Sequence, residues 1–252
     1  MSSKSLEYWA DIPPTLDGVL GGFGFISDVD IDGSNRFLRS LFALKIPPSS
    51  DVAIDCGAGI GRITKELLSQ HFSQVDVVEP DEKFINSIRD YVGENSSKVC
   101  NLYKVGLQEF VPHRKYDVIW NQWVLGYLTD ADLVAFLNRC NCLLVSPSLE
   151  RLDQIGYIVL KNMFILRKAL NENGIIVIKE NVTSTGKPET DETDSSVTRS
   201  LKQFLRIFKD CNLKTIKQCK QTNFPNGIYP VYMFALIPEP DSQSTKTLLE
   251  NA

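Results

Sequence analysis

Apolar residues in this chain gather in short continuous runs, with amphipathic stretches between them. Val52-Ala53-Ile54, Val75 to Val78, Tyr116 to Trp120 and Gly174 to Glu180 are rich in β-branched and aromatic side chains. Runs of this length, bounded by turn residues, predict strands that are buried on both faces. The pattern gives strands at 52–55, 75–79, 99–105, 116–120 and 174–180, with helices at 61–70 and 81–92 between them. Alternating strands and helices predict an α/β fold with a parallel sheet and right-handed crossovers. The last part reads differently. A helix near 195–211 precedes two strands, 213–220 and 229–237, joined by Asn223-Phe224-Pro225-Asn226-Gly227. That pair predicts an antiparallel hairpin closing the sheet.

The flanks change the picture little. Residues 5–45 carry helical patterning around a glycine-rich break, Gly18 to Gly24, and Pro47-Pro48-Ser49-Ser50 ends it with a turn. Residues 1–48 therefore read as a helical extension of the domain formed by 49–237, and the polar tail 238–252 reads as disordered. The connection 129–173 is long. Ser146-Pro147-Ser148 splits it into two helices, with a helical insertion near 141–161 whose apolar residues suit packing. A length of 252 residues allows one sizeable α/β domain and little more.

Composition removes several classes. With 43% hydrophobic and 23% charged residues the chain is ordinary globular material. A net charge of −4 argues against a general nucleic-acid surface and mildly favours a basic substrate. The six cysteines form no CxxC pair, and there are only two histidines, so no metal site is expected. No N-terminal signal pattern and no run long enough to span a bilayer occurs. A soluble, intracellular protein with reduced thiols is expected.

The chemistry is concentrated in Asp55-Cys56-Gly57-Ala58-Gly59-Ile60-Gly61-Arg62, between the first strand and the first helix of the sheet. A strand, a glycine turn and a helix place a ligand beyond the strand's carboxyl end. Glu79, about 20 residues further on, closes the second strand, where an acid takes hydrogen bonds from ribose hydroxyls. The spacing is GxGxG rather than the GxGxxG usual for a dinucleotide, and Arg62 follows directly. S-adenosylmethionine fits better, its carboxylate facing Arg62. A dinucleotide and a ligand-free tight turn remain as alternatives at this point.

Several segments together resemble the α-N-terminal protein methyltransferases, which methylate the free α-amine of proteins beginning Xaa-Pro-Lys. They are Tyr8-Trp9, Ile12-Pro13-Pro14-Thr15 through Gly24, Asp55 to Lys65, Tyr116 to Trp120 with Gln122-Trp123-Val124, Gly174 to Asn181, Asp194-Ser195-Ser196-Val197 and Ile228 to Tyr232. The glycine turn is generic. The Ile-Pro-Pro-Thr…Gly-Gly-Phe-Gly and Asp-Ser-Ser-Val blocks are far more specific. The resemblance implies a class I methyltransferase Rossmann-like seven-stranded sheet, mostly parallel, with S-adenosylmethionine as donor and S-adenosylhomocysteine as product.

What the resemblance implies for single residues follows from the matching positions. Asp194 is the first choice for general base, although an Asp before Ser-Ser-Val also suits a helix N-cap. Asn181, closing the fifth strand, holds the substrate's first residue, where the alternative is a strand-end turn residue. Leu20, Ile26 and Ile228 form a pocket for the substrate's proline, or belong to the core. Asp191 and Glu192 pair with a basic third residue, or are plain solvated surface. Trp123 and Tyr229 wall the amine channel, and Ser196 lies beside the substrate. On the donor side stand Gly57, Gly59, Gly61, Arg62, Glu79, Pro80 and Asp81, with Leu107 and Gln108 at the adenine, Gln122 at the methionine end and Trp9 covering. One departure matters. The family carries a histidine where this chain has Tyr127, which hydrogen-bonds an ammonium but is a poor base at neutral pH.

Other functions stay open on the sequence alone: methylation of a small-molecule amine, or a non-catalytic partner that kept the fold. The resemblance further implies ribosomal proteins among the substrates, a monomer, no nucleic acid or membrane, and a cytoplasmic location extending to the nucleus.

Overall fold

The computed structural model describes residues 3–141 and 170–239. The expected helices around Ser146-Pro147-Ser148, the insertion near 141–161 and all but the start of the tail lie outside the described residues. The N-terminal part forms α1 (Ser3–Asp11), the single turn α2 (Leu16–Val19) and α3 (Ser27–Phe42). The break between α2 and α3 falls at Gly21 and Gly22, both in the left-handed region with φ of 58° and 84°.

Strand β1 (Val52–Cys56) leads through the glycine turn into a wide π-helical stretch, Thr64–Leu68, that runs on into α4 (Ser69–His71). There follow β2 (Gln74–Val78), α5 (Glu82–Val92), β3 (Val99–Tyr103), β4 (Tyr116–Gln122), α6 (Asp130–Asn141) and β5 (Leu170–Asn181). The remainder is a two-residue hairpin, β6 (Glu189–Thr190) with β7 (Val197–Thr198), then α7 (Leu201–Asp210), β8 (Leu213–Lys220) and β9 (Val231–Pro238). The seven-stranded sheet runs β3-β2-β1-β4-β5-β9-β8. β1 pairs in parallel with β2 and β4, whereas β9 is antiparallel to both β5 and β8. Strand order reverses on either side of β1, so the crevice beyond β1 and β4 is the topological switch point where ligands bind.

Alternation along the strands feeds two cores. Ile54, Ile119, Ile176 and Ile178 face α6 and α7 residues such as Phe136, Phe204 and Phe208. Ala53, Val118, Trp120 and Val177 face Phe37, Leu38 and Leu41 of α3 and Leu67 and Leu68 of the π stretch. The helical extension thus covers one face of the sheet. Several boundaries differ from the expected ones: β3 stops two residues early, at Tyr103, and β9 starts two residues late, at Val231. β4 runs two residues further, to Gln122, β5 starts at Leu170, and the helix expected at 195 begins at Leu201 behind the cap Ser200, whose hydroxyl accepts from Gln203 N. Ser195, with φ of 59°, and the pairing of Val197–Thr198 with β6 keep these residues out of the helix.

Candidate active site

A cleft partly open to solvent lies where β1 and β4 diverge. Its floor is the glycine turn. Gly57 has φ of 72°, and a Cβ there would come within 2.3 Å of Val124 Cγ2. Only glycine lets the chain pass this close to the loop after β4. Gly59, with φ of 56°, lines the cleft, and its missing side chain leaves the backbone open to a ligand. Gly61 does not line it; its position is set by packing toward Ile88 and Val92 of α5.

Glu79, Pro80 and Asp81 form one side of the cleft. Glu79 is buried, and its Oε2 accepts from Gly59 N at 2.8 Å while Oε1 accepts from Asp81 N at 2.9 Å. Burial pushes its carboxyl up to about 7, against the pull of those two amides. Each oxygen keeps a second lone pair for a further donor. Asp81 caps α5 by accepting from Phe84 N.

Opposite stands a buried polar cluster. Arg62 Nη1 contacts Asp30 Oδ2 at 2.8 Å, and Gln122 Nε2 donates to the same oxygen at 2.8 Å. Lys179, wholly buried on β5, spends its three protons on Asp30 O, Ser34 Oγ and Gln221 Oε1. Its ammonium also pairs with Asp30 Oδ1 at 2.5 Å. Burial lowers the Lys179 pKa, with Asp30 opposing. Two cationic side chains thus share one carboxylate, and Arg62 lines the cleft. This excess of positive charge suits the carboxylate of an amino-acid end. Trp123 sits under Arg62, 5.6 Å from ring centroid to guanidinium carbon, and adopts φ of 53°. Its indole Nε1–H is buried with no acceptor among the described residues. The orphaned donor, the glycine cradle and the acid just after β2 fit an adenosyl amino acid.

Trp9 and Leu20 close the cleft from the N-terminal extension. Trp9 packs edge-on against Phe84 and Tyr127. α1 is tied at both ends. Lys83 Nζ donates to the carbonyls of Trp9, Ala10 and Ile12, and at the other end Lys4 Nζ donates to Glu192 O and Ser5 Oγ to Asp194 O.

Tyr127 also lines the cleft, and its phenol donates to Asp194 Oδ2 at 2.7 Å. Burial first, then the Asp194 charge, drives the phenol pKa upward, so the group is a donor and not a base. The phenol oxygen keeps lone pairs that can still accept from an ammonium. Asp194 Oδ1 accepts from Ser196 N at 2.9 Å, so the carboxylate caps a turn and no helix. Asp191 and Glu192 are exposed on the same β6–β7 hairpin, and Asp191 accepts from Thr193 N. Tyr229, 39% exposed, donates to Glu189 Oε2 at 2.7 Å. Asn181 and Ile228 are half-buried at the ends of β5 and of the loop before β9, and Ile26 is buried beside α3.

Leu107 and Gln108, expected beside the adenine, are not brought to the cleft. Leu107 is core, and Arg139 of α6 takes the carbonyls of both residues. Sequence reasoning also missed Asp30, Lys179, Glu180 and Arg199. The one available signal was a Lys-Glu pair at the end of an otherwise apolar strand. Among the described residues no cluster of metal-ligating side chains occurs, and no helix is long and apolar enough to cross a membrane.

Comparison with known proteins agrees with this geometry. A family profile described as AdoMet-dependent proline di-methyltransferase matches residues 1–165 and 160–237. The chain is 42% identical over 238 residues to the N-terminal Xaa-Pro-Lys N-methyltransferase 1 of Homo sapiens, covering 93% of this chain and 94% of that one. It is 41% identical over 239 residues to the Alpha N-terminal protein methyltransferase 1 of Drosophila melanogaster, covering 94% and 76%. A solved SAM-dependent methyltransferase of Leishmania major superposes with a TM-score of 0.77 at 33% identity, covering 92% of this chain and 81% of that one. A glycopeptide N-methyltransferase holding S-adenosylmethionine shares the fold at a TM-score of 0.56 and 12% identity, covering 82% and 87%. The chain belongs to the AdoMet-dependent proline di-methyltransferase family and is a methyltransferase whose donor is S-adenosylmethionine.

Proposed function

We propose that this enzyme methylates the free α-amino group of proteins whose mature N-terminus reads Xaa-Pro-Lys, with Asp194 as general base. The names of its relatives support the substrate class. The observation that carries the mechanism is that Tyr127 belongs both to the donor cleft and to Asp194. The carboxylate therefore stands one side chain from the place of the donor.

S-adenosylmethionine supplies, when bound, an electrophilic methyl group on a sulfonium. Arg62 and Glu79 hold its two ends, carboxylate and ribose. The chain must then present an uncharged amine in line and accept its proton. An α-ammonium titrates at about 7.7–8.0, so deprotonation at pH 7 costs only about 1–1.4 kcal/mol, against roughly 4.6 kcal/mol for a lysine side chain. A carboxylate is base enough for the first and poor for the second. Asp194 would take the proton on a lone pair left free by Tyr127 and Ser196, leaving the nitrogen lone pair free for the methyl group that bound S-adenosylmethionine would supply.

Asn181 orients the first residue, Leu20, Ile26 and Ile228 receive the proline, and Asp191 and Glu192 face the basic third residue. Trp123 and Tyr229 flank the incoming chain, with Ser196 beside it. Ribosomal proteins as substrates, a monomeric state and a cytoplasmic and nuclear location belong to the same reading. Incubating a Ser-Pro-Lys peptide with enzyme and donor tests it; gain of methyl mass is expected, and no gain would oppose it.

A further inference from the structure

The loop between β4 and α6 carries both Trp123 and Tyr127, and its backbone is gripped from two sides. Its first three amides all bond to the end of β5. Trp123 N donates to Lys179 O at 3.1 Å, and Val124 N and Leu125 N both donate to Glu180 Oε1, at 2.8 and 2.7 Å. From the other side Arg199 Nη1 donates to Leu125 O at 2.8 Å and Nη2 to Leu128 O at 2.5 Å, while Nε bonds Asp130 Oδ1 at 2.9 Å. Glu180 is 6% exposed and Arg199 1%.

Neither side chain lines the cleft; both are spent on backbone groups of the loop. A buried carboxyl and a buried guanidinium placed on the donors and acceptors of one six-residue loop are costly unless the geometry is fully used. Here each ion satisfies backbone groups that the irregular loop cannot pair within itself. The left-handed Trp123 stands directly before the two amides held by Glu180. A non-glycine residue stays in that region only where its surroundings over-determine it. Tyr127 lies between the two carbonyls held by Arg199.

We infer that Glu180 and Arg199 are positioning residues for methyl transfer: together they clamp loop 123–128 so that Trp123 faces the cleft and Tyr127 aims Asp194. The inference rests on the proposed acceptor chemistry only through Asp194.

Amide hydrogen exchange on the full chain, run beside turnover, tests the clamp. In Glu180→Ala the Val124 and Leu125 amides should exchange about a hundredfold faster than in the parent, with those of Val118 and Ile119 unchanged. Turnover should fall about a hundredfold, the scale expected when a reacting group shifts by an ångström. Glu180→Gln keeps an acceptor oxygen without its charge, and charge-assisted bonds are roughly twice as strong as neutral ones. It should fall between parent and Ala in both readouts. Unchanged exchange at the two loop amides in either variant, or accelerated exchange with full turnover, overturns the inference. If Glu180→Ala does not fold, Glu180→Gln decides on the same two criteria. The exchange arm needs no acceptor, so a parent enzyme inactive on peptides would sink the proposed function and leave the clamp to be judged by exchange.

Discussion

The phenol of Tyr127 donates to Asp194 Oδ2 at 2.7 Å, joining the wall of the donor cleft to the hairpin that carries the acidic residues. Family relatives are expected to carry a histidine at this position, which could share a proton with the carboxylate. Here the phenol keeps its proton, so it orients Asp194, and the proposed base role falls to the carboxylate alone.

Asp194→Asn should therefore lower turnover by about 10²–10⁴, the usual contribution of a positioned base, and leave the Kd for S-adenosylmethionine within a few-fold. Tyr127→Phe should cost less, roughly tenfold or somewhat more, because it removes one hydrogen bond to a charged group and no proton acceptor. Single-turnover kinetics with calorimetric Kd values checks both. Equal losses in the two variants would make the hydroxyl more than an orienting group.

Donor binding should depend on pH through Glu79. Burial holds its carboxyl at about 7 in the free protein, above the usual 4.5. Ribose hydroxyls donate to the ionised form, so affinity is full above pH 7 and falls as pH drops and the free carboxyl protonates. The Kd should weaken roughly tenfold between pH 7.5 and pH 6, with proton release on binding at the lower pH. Isothermal titration at the two values, in buffers of different ionisation enthalpy, reads both effects. Glu79→Gln should flatten the dependence.

Asp30 is the shared counter-ion of Arg62 and Lys179. Asp30→Asn leaves two buried cations facing each other and should destabilise the fold by about 3–5 kcal/mol in denaturant unfolding. Saturating S-adenosylmethionine, by bringing a carboxylate to Arg62, should restore more stability to this variant than to the parent. Equal stabilisation of the two would place the donor's carboxylate elsewhere.

Reversal of Asp191 and Glu192 to lysine should raise KM for peptides with a basic third residue and leave turnover near that of the parent. Both carboxylates are exposed, so the effect should shrink as salt rises. Assays across ionic strength decide whether the pair meets the substrate or only the solvent.

The sheet was legible because its signals are local. Strand runs such as Ile175 to Ile178 and the glycine turn with Glu79 are short-range patterns that need no knowledge of neighbours. The Asp30–Lys179–Arg62 cluster was not, because it joins α3, β5 and the turn after β1. A lysine at a strand end reads as solvent-facing until α3 is seen to cover it. Likewise Asp194, read first as the base, also suited a helix cap, and the left-handed Ser195 with the Tyr127 contact places it in a turn instead. A position after β3 likewise says nothing of Arg139, whose guanidinium takes the carbonyls of Leu107 and Gln108.

Mass spectrometry of a Ser-Pro-Lys peptide after incubation with enzyme and S-adenosylmethionine, beside the same peptide acetylated at its N-terminus, tests the central claim most directly. The free peptide should gain methyl groups on its α-nitrogen and the acetylated one none. Methylation of the blocked peptide, or of the lysine side chain in either, would contradict it.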